Sequence, residues 1–102
     1  GHESCGAVSA ALTIPITEST GSFELDRTLN LLRPNVYSFI GKPIQDPKLH
    51  GPVKMNVNAT AEQILRRSQI IRDRVKSGKL AIAKGIYNLS TGKVEFWVDN
   101  SI

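Results

Sequence analysis

Cysteine is nearly absent from this 102-residue chain: Cys5 is the single one, so no internal disulfide can form and a reducing compartment is the simpler setting. Aromatic residues are sparse too, at 6%, and none is interleaved with the densest basic cluster, Arg66, Arg67, Arg72, Arg74 and Lys76. Single-stranded nucleic acid is held on stacked aromatic platforms, so that cluster reads as a solvated helix face and no nucleic-acid partner is expected. No apolar run approaches the roughly 18 residues of a spanning helix, and no membrane partner is expected. An acidic surplus is also missing: the formal net charge is +4. What is present, 40% hydrophobic and 22% charged residues, is the composition of a soluble folded chain, one domain or less.

The chain opens with Gly1-His2-Glu3-Ser4-Cys5-Gly6-Ala7, which sets an imidazole and the only thiol three residues apart. Imidazole nitrogen and thiolate sulfur are ligands that zinc accepts readily, and a tetrahedral site needs four ligands, or three and a water. His2 and Cys5 are thus half of a zinc site; equally, a lone cysteine serves as a small core residue. A strand ending at Gly1 and a helix beginning near Cys5 would aim both side chains at one point beyond the strand's carboxyl end, where open α/β sheets bind ligands. A cysteine at a helix start also meets unpaired N–H groups and the positive end of the dipole, which favour the thiolate. Gly6 leaves room beside the thiol, and Glu3 is either a solvated turn residue or an acceptor that orients a ligand.

Periodicity supplies the remaining elements. Residues 4–12 read as a short helix with Ala7, Val8, Ala11 and Leu12 toward a core. A second helix starts at Ser22 with Phe23, Leu25, Leu29 and Leu32, and Pro34 opens a new segment running to Gly41. The Pro- and Gly-rich stretch from Gly41 to Pro52 reads as a loop bearing His50, a surface side chain or a further metal ligand. One apolar stripe at helical spacing, Val57, Ala61, Ile64, Leu65, Ser68, Ile71 and Val75, predicts a single long helix over 57–75, with Thr60 and Gln63 as a capping box and Gly78 as its stop. Leu80, Ile82, Ile86, Tyr87 and Leu89 then predict a strand, Ser90-Thr91-Gly92-Lys93 a turn, and Val94, Phe96, Trp97 and Val98 a second strand, together a hairpin. Two triplets, Asn58-Ala59-Thr60 and Asn88-Leu89-Ser90, fit the glycosylation pattern, which matters only in a secreted chain.

Gly1-His2-x-x-Cys5-Gly6-Ala7 resembles the second zinc motif of the β-class carbonic anhydrases. Gly78-Lys79-Leu80-x-Ile82 and Tyr87-Asn88-Leu89-x-Thr91-Gly92-Lys93-Val94-x-Phe96 are similar to that family's closing strand, turn and strand. Leu31-Leu32-Arg33-Pro34-x-Val36 resembles its helical linker, and Asn56-Val57 its approach to the long helix. The likeness runs over the whole chain in order. It implies an α/β fold, part of a mostly parallel sheet flanked by helices, to which this chain gives helices and a C-terminal strand pair.

The resemblance further implies a zinc lyase that interconverts carbon dioxide and bicarbonate, with His2 and Cys5 as two metal ligands and Gly6 or Glu3 in supporting positions. The family's remaining Cys ligand and its paired Asp and Arg come from a Cys-x-Asp-Ser-Arg segment, which is absent here. Residues 1–102 are therefore expected to be one partial domain, the carboxyl-terminal half, inactive alone and completed by the amino-terminal half as a separate chain or upstream segment. A homodimer or higher homo-oligomer in the cytoplasm or an organellar stroma or matrix is expected. Lys84 stands where the family strand carries a small or apolar residue, which suggests an edge or bulge there. Two other readings stay open: hydrolysis of carbon disulfide or carbonyl sulfide by the same chemistry, and a metal-free interaction module that uses the basic helix 60–77.

Overall fold

In the computed structural model, which describes residues 1–98, helices precede one short hairpin. The elements are α1 (Gly6–Thr13), α2 (Phe23–Leu32), a 3-10 segment (Arg33–Phe39), α3 (His50–Arg67), α4 (Gln69–Lys76), β1 (Lys84–Tyr87) and β2 (Val94–Trp97). Residues 99–102 of the expected domain lie outside the described residues. The result is a mixed helical chain with a two-stranded antiparallel sheet. Parallel pairing appears once among the described residues, as a bridge between His2 and Tyr87.

Each helix start has a local cause. At α2 the Ser22 hydroxyl accepts from Leu25 N at 3.2 Å, while Asp26 reaches back to accept from Thr20 N and Oγ1. These bonds, those from Thr20 first, hold the Asp26 carboxyl below its ordinary value of 3.8. Pro34 sits in the first turn of the 3-10 segment, where a missing N–H costs nothing.

The expected loop ends earlier than its composition suggested. Asp46 accepts from Lys48 N and His50 N, Leu49 takes a left-handed conformation (φ 57°), and α3 begins at His50 with Pro52 in its first turn. The expected capping box at Thr60 is also corrected: this residue lies inside α3 and its hydroxyl donates to Asn56 O at 2.9 Å. The single long helix is two, because Ser68 leaves helical geometry (φ −117°, ψ 106°) and caps α4 by accepting from Ile71 N. Arg72 bridges the break by donating to the Leu65 and Arg66 carbonyls at the end of α3. One member of the basic cluster is thus spent on structure. Gly78 ends α4 as expected, in the left-handed region at φ +75°.

The core is small: Val8, Ala11, Leu29, Val36, Leu49, Val53 and Ile86 form one cluster, ringed by Cys5, Leu12, Leu32 and Trp97. Of the expected apolar face of α2 only Leu29 is buried, and Phe23 is 74% exposed. Similarly, of the long stripe only Ala61 is buried. Accessible surface totals 6995 Å², whereas a compact monomer of this mass exposes about 5,700 Å².

The hairpin is antiparallel as expected, with Gly85 opposite Phe96 and Tyr87 opposite Val94, though β1 starts only at Lys84. Asn88 makes its turn by accepting from Ser90 N and Thr91 N. Lys84 opens a strand of a two-stranded sheet, yet its side chain is buried, at 4% exposed, and its Nζ donates to Asn58 Oδ1 at 3.2 Å, an oxygen that also accepts from Trp97 Nε1 at 3.1 Å. Both candidate glycosylation asparagines therefore have internal work.

Candidate metal centre

The segment Gly1–Glu3 runs alongside β1 in the parallel sense. Tyr87 N donates to Gly1 O at 2.8 Å, Glu3 N donates to Tyr87 O at 3.0 Å, and the Gly1 nitrogen donates to Gly85 O at 2.9 Å. Close approach requires the glycine here: a Cβ on Gly1 would stand 2.8 Å from Val53 Cγ1 and 2.9 Å from Val57 Cγ2 on α3. His2 follows at the carboxyl end of this extended segment, and the chain then turns sharply. Ser4 makes the turn in the left-handed region (φ 54°), held by its amide to Lys48 O at 2.7 Å and its hydroxyl to Pro47 O at 3.2 Å. Cys5 is the N-cap of α1.

That geometry bears on the state of both side chains. His2 Nδ1 lies 3.0 Å from Glu3 O, and a carbonyl can only accept, so Nδ1 carries the proton. The Nε2 lone pair is then free, the tautomer that a ligating histidine needs. His2 is exposed, Cys5 half-buried, and Cys5 makes no side-chain capping bond. Its sulfur stands at the amino end of α1, where backbone N–H groups have no helical acceptor. Gly6 offers open space, with no atom within 4 Å of a Cβ placed on it apart from its own chain neighbours and helix backbone.

The other sequence candidates sort differently. Glu3 is not a solvated turn residue: it is 7% exposed, and its Oε1 accepts from Ser90 N and Ser90 Oγ. His50 is engaged elsewhere, with Nε2 at 2.8 Å from Glu95 Oε2, a bond that holds the Glu95 carboxyl below its ordinary value of 4.5. Lys54 lies 3.8 Å from the other Glu95 oxygen and over the Trp97 ring. Among the described residues no three or more of His, Cys, Asp and Glu converge as a metal cluster. Burial of Glu3 and Lys84 was not signalled in the sequence, because charge at a turn or strand position ordinarily marks exposure.

A family model described as carbonic anhydrase matches residues 1–94, a span that holds both the His2–Cys5 turn and the β1–β2 hairpin. The chain belongs to the carbonic anhydrase family. The match agrees with the β-class resemblance carried by the two ends of the sequence. No curated protein and no solved structure matches the chain. In this carbonic anhydrase family member the parallel bridge at Tyr87 joins the two matched ends, holding the His2–Cys5 turn against the end of β1. No helix among the described residues is long and apolar enough to cross a membrane.

Proposed function

We propose that this chain supplies half of the zinc centre of a β-class carbonic anhydrase that hydrates carbon dioxide reversibly to bicarbonate, with His2 through Nε2 and Cys5 through its thiolate as ligands. The observation that carries the reading is the His2–Cys5 turn itself, in which a backbone carbonyl fixes the imidazole tautomer and Cys5 opens α1 with its sulfur uncommitted. The donor set, one neutral imidazole and one thiolate, fits zinc. When bound, zinc supplies the Lewis acidity that makes water a nucleophile near neutral pH.

This chain's own residues do the holding. The Glu3 carbonyl keeps the proton on His2 Nδ1. The Ser4 turn, braced on Pro47 and Lys48, sets the angle between the extended segment and α1. Cys5 would be held as its thiolate.

Two ligands are too few, and the remaining donors come from protein beyond these residues, either an amino-terminal half or another chain. Surface beyond that of a compact monomer, with Phe23, Leu31, Tyr37, Ile70 and Phe96 each about 70% exposed, supports a partner and a homo-oligomer. The test is carbon dioxide hydration and zinc content of the full-length protein. His2→Ala and Cys5→Ser are each expected to lose bound zinc and activity together. Full activity in both variants would refute the ligand assignment.

A further inference from the structure

Glu3 lies between the two proposed ligands, yet it is buried and its amide, its carbonyl and one carboxylate oxygen are all hydrogen-bonded. Its amide donates to Tyr87 O, its carbonyl accepts from His2 Nδ1, and Oε1 accepts from Ser90 N at 3.2 Å and Ser90 Oγ at 3.3 Å. The other carboxylate oxygen is 4.0 Å from Lys48 Nζ, whose side chain is 59% exposed, so the ion pair contributes little. The bonds to Ser90 are the ones that matter, and they span 87 positions of the chain. Removing a carboxylate from water costs free energy unless donors replace the water, and here the Ser90 hydroxyl does so together with the Ser90 amide, which is shared with Asn88 Oδ1 at 2.9 Å. A turn that needed only to reverse the chain would not require this.

We propose that Glu3 is a positioning residue for the metal ligands: its carboxylate ties the His2–Cys5 turn to the β1–β2 connection at Ser90, fixing the carbonyl that holds His2 in the ligating tautomer. The effect is indirect. Glu3 donates nothing to the metal. Its side chain immobilises its own backbone, whose carbonyl orients the imidazole from one side while Cys5 follows two residues later. Outer partners of this kind ordinarily set metal affinity by ten- to a hundredfold. The inference rests on His2 and Cys5 being the zinc ligands.

Its test uses the full-length enzyme, with zinc affinity measured by chelator competition, the cobalt-substituted visible spectrum, and exchange of the residue 3 amide. Glu3→Ala is expected to weaken zinc by about ten- to a hundredfold, alter the cobalt–thiolate band and speed exchange of the residue 3 amide, which bonds to Tyr87 O. Glu3→Gln keeps an accepting oxygen and is expected to recover most of that loss. Ser90→Ala removes only the hydroxyl donor and is expected to give a smaller, several-fold loss, which keeps the test open if Glu3→Ala does not fold. Unaltered affinity in Glu3→Ala, or a Gln variant as weak as the Ala variant, would overturn the positioning role. If His2→Ala and Cys5→Ser bind zinc like the unaltered protein, the ligand reading falls and the positioning role with it; if they abolish binding while Glu3→Ala does not, only the positioning role falls.

Discussion

Replacing Asn58 by alanine should unfasten the hairpin from α3. Its Oδ1 is the acceptor for two donors, Lys84 Nζ at 3.2 Å and Trp97 Nε1 at 3.1 Å, one from each strand. Lys84 is 4% exposed and Trp97 half-buried, so water replaces the lost oxygen poorly. A hydrogen bond from a charged donor contributes about 1.5–3 kcal/mol, and a buried donor left unpaired costs about 1–3 kcal/mol. Asn58→Ala should therefore cost about 3–5 kcal/mol, a large share of the ordinary stability of a domain. Asn58→Asp keeps the acceptor and adds a charge opposite the ammonium, so it should retain most of the stability at neutral pH. Urea unfolding of the unaltered protein and both variants, followed by Trp97 fluorescence, measures the difference. A loss below about 1 kcal/mol in Asn58→Ala, the size of an ordinary surface change, would refute the claim that this amide joins helix and hairpin.

Other parts of the chain make separate predictions. Gly1→Ala should push the His2 turn off α3, because the new methyl meets two valine side chains inside contact distance; a cost of about 1–3 kcal/mol in thermal unfolding, together with weakened zinc binding, is expected. Ser68→Ala removes the cap that starts α4 and should cost about 1 kcal/mol by denaturant titration. Asp26 is held below its ordinary 3.8, so its contribution is complete above that value and is lost as pH falls through the lowered one; Asp26→Asn should flatten acid unfolding in that window. Glu95 is lowered in the same direction by its bond from His50, and Glu95→Gln should likewise reduce the acid dependence.

The hairpin was readable in the sequence because alternating apolar residues flank a turn whose chemistry is local, Asn88 binding the amides of Ser90 and Thr91 and Gly92 adopting a positive φ. Helix α1 was readable from its small and apolar residues, but it starts at Gly6 and not at Ser4, because Ser4 takes a left-handed turn and Cys5 is the cap. The break at Ser68 was not readable, since an apolar stripe at helical spacing passes through a one-residue kink almost unchanged. The start of α3 was hidden by composition: Gly51 and Pro52 look like loop, although a first turn tolerates both. His2 and Cys5 were legible as zinc-type donors three residues apart, and as proposed ligands only through the family resemblance that the distant hairpin completes. The roles of Glu3 and Lys84 were not legible, because their partners, Ser90 and Asn58, lie far off in the chain and only folding brings them within reach.

Zinc-edge X-ray absorption on the full-length, zinc-loaded protein tests the ligand assignment most directly. With His2 and Cys5 as ligands, the unaltered protein shows sulfur at about 2.3 Å together with imidazole nitrogen at about 2.0–2.1 Å, and Cys5→Ser, which purifies depleted of zinc, shows one sulfur fewer around the metal it takes up from excess zinc. A zinc shell identical in Cys5→Ser and the unaltered protein would contradict it.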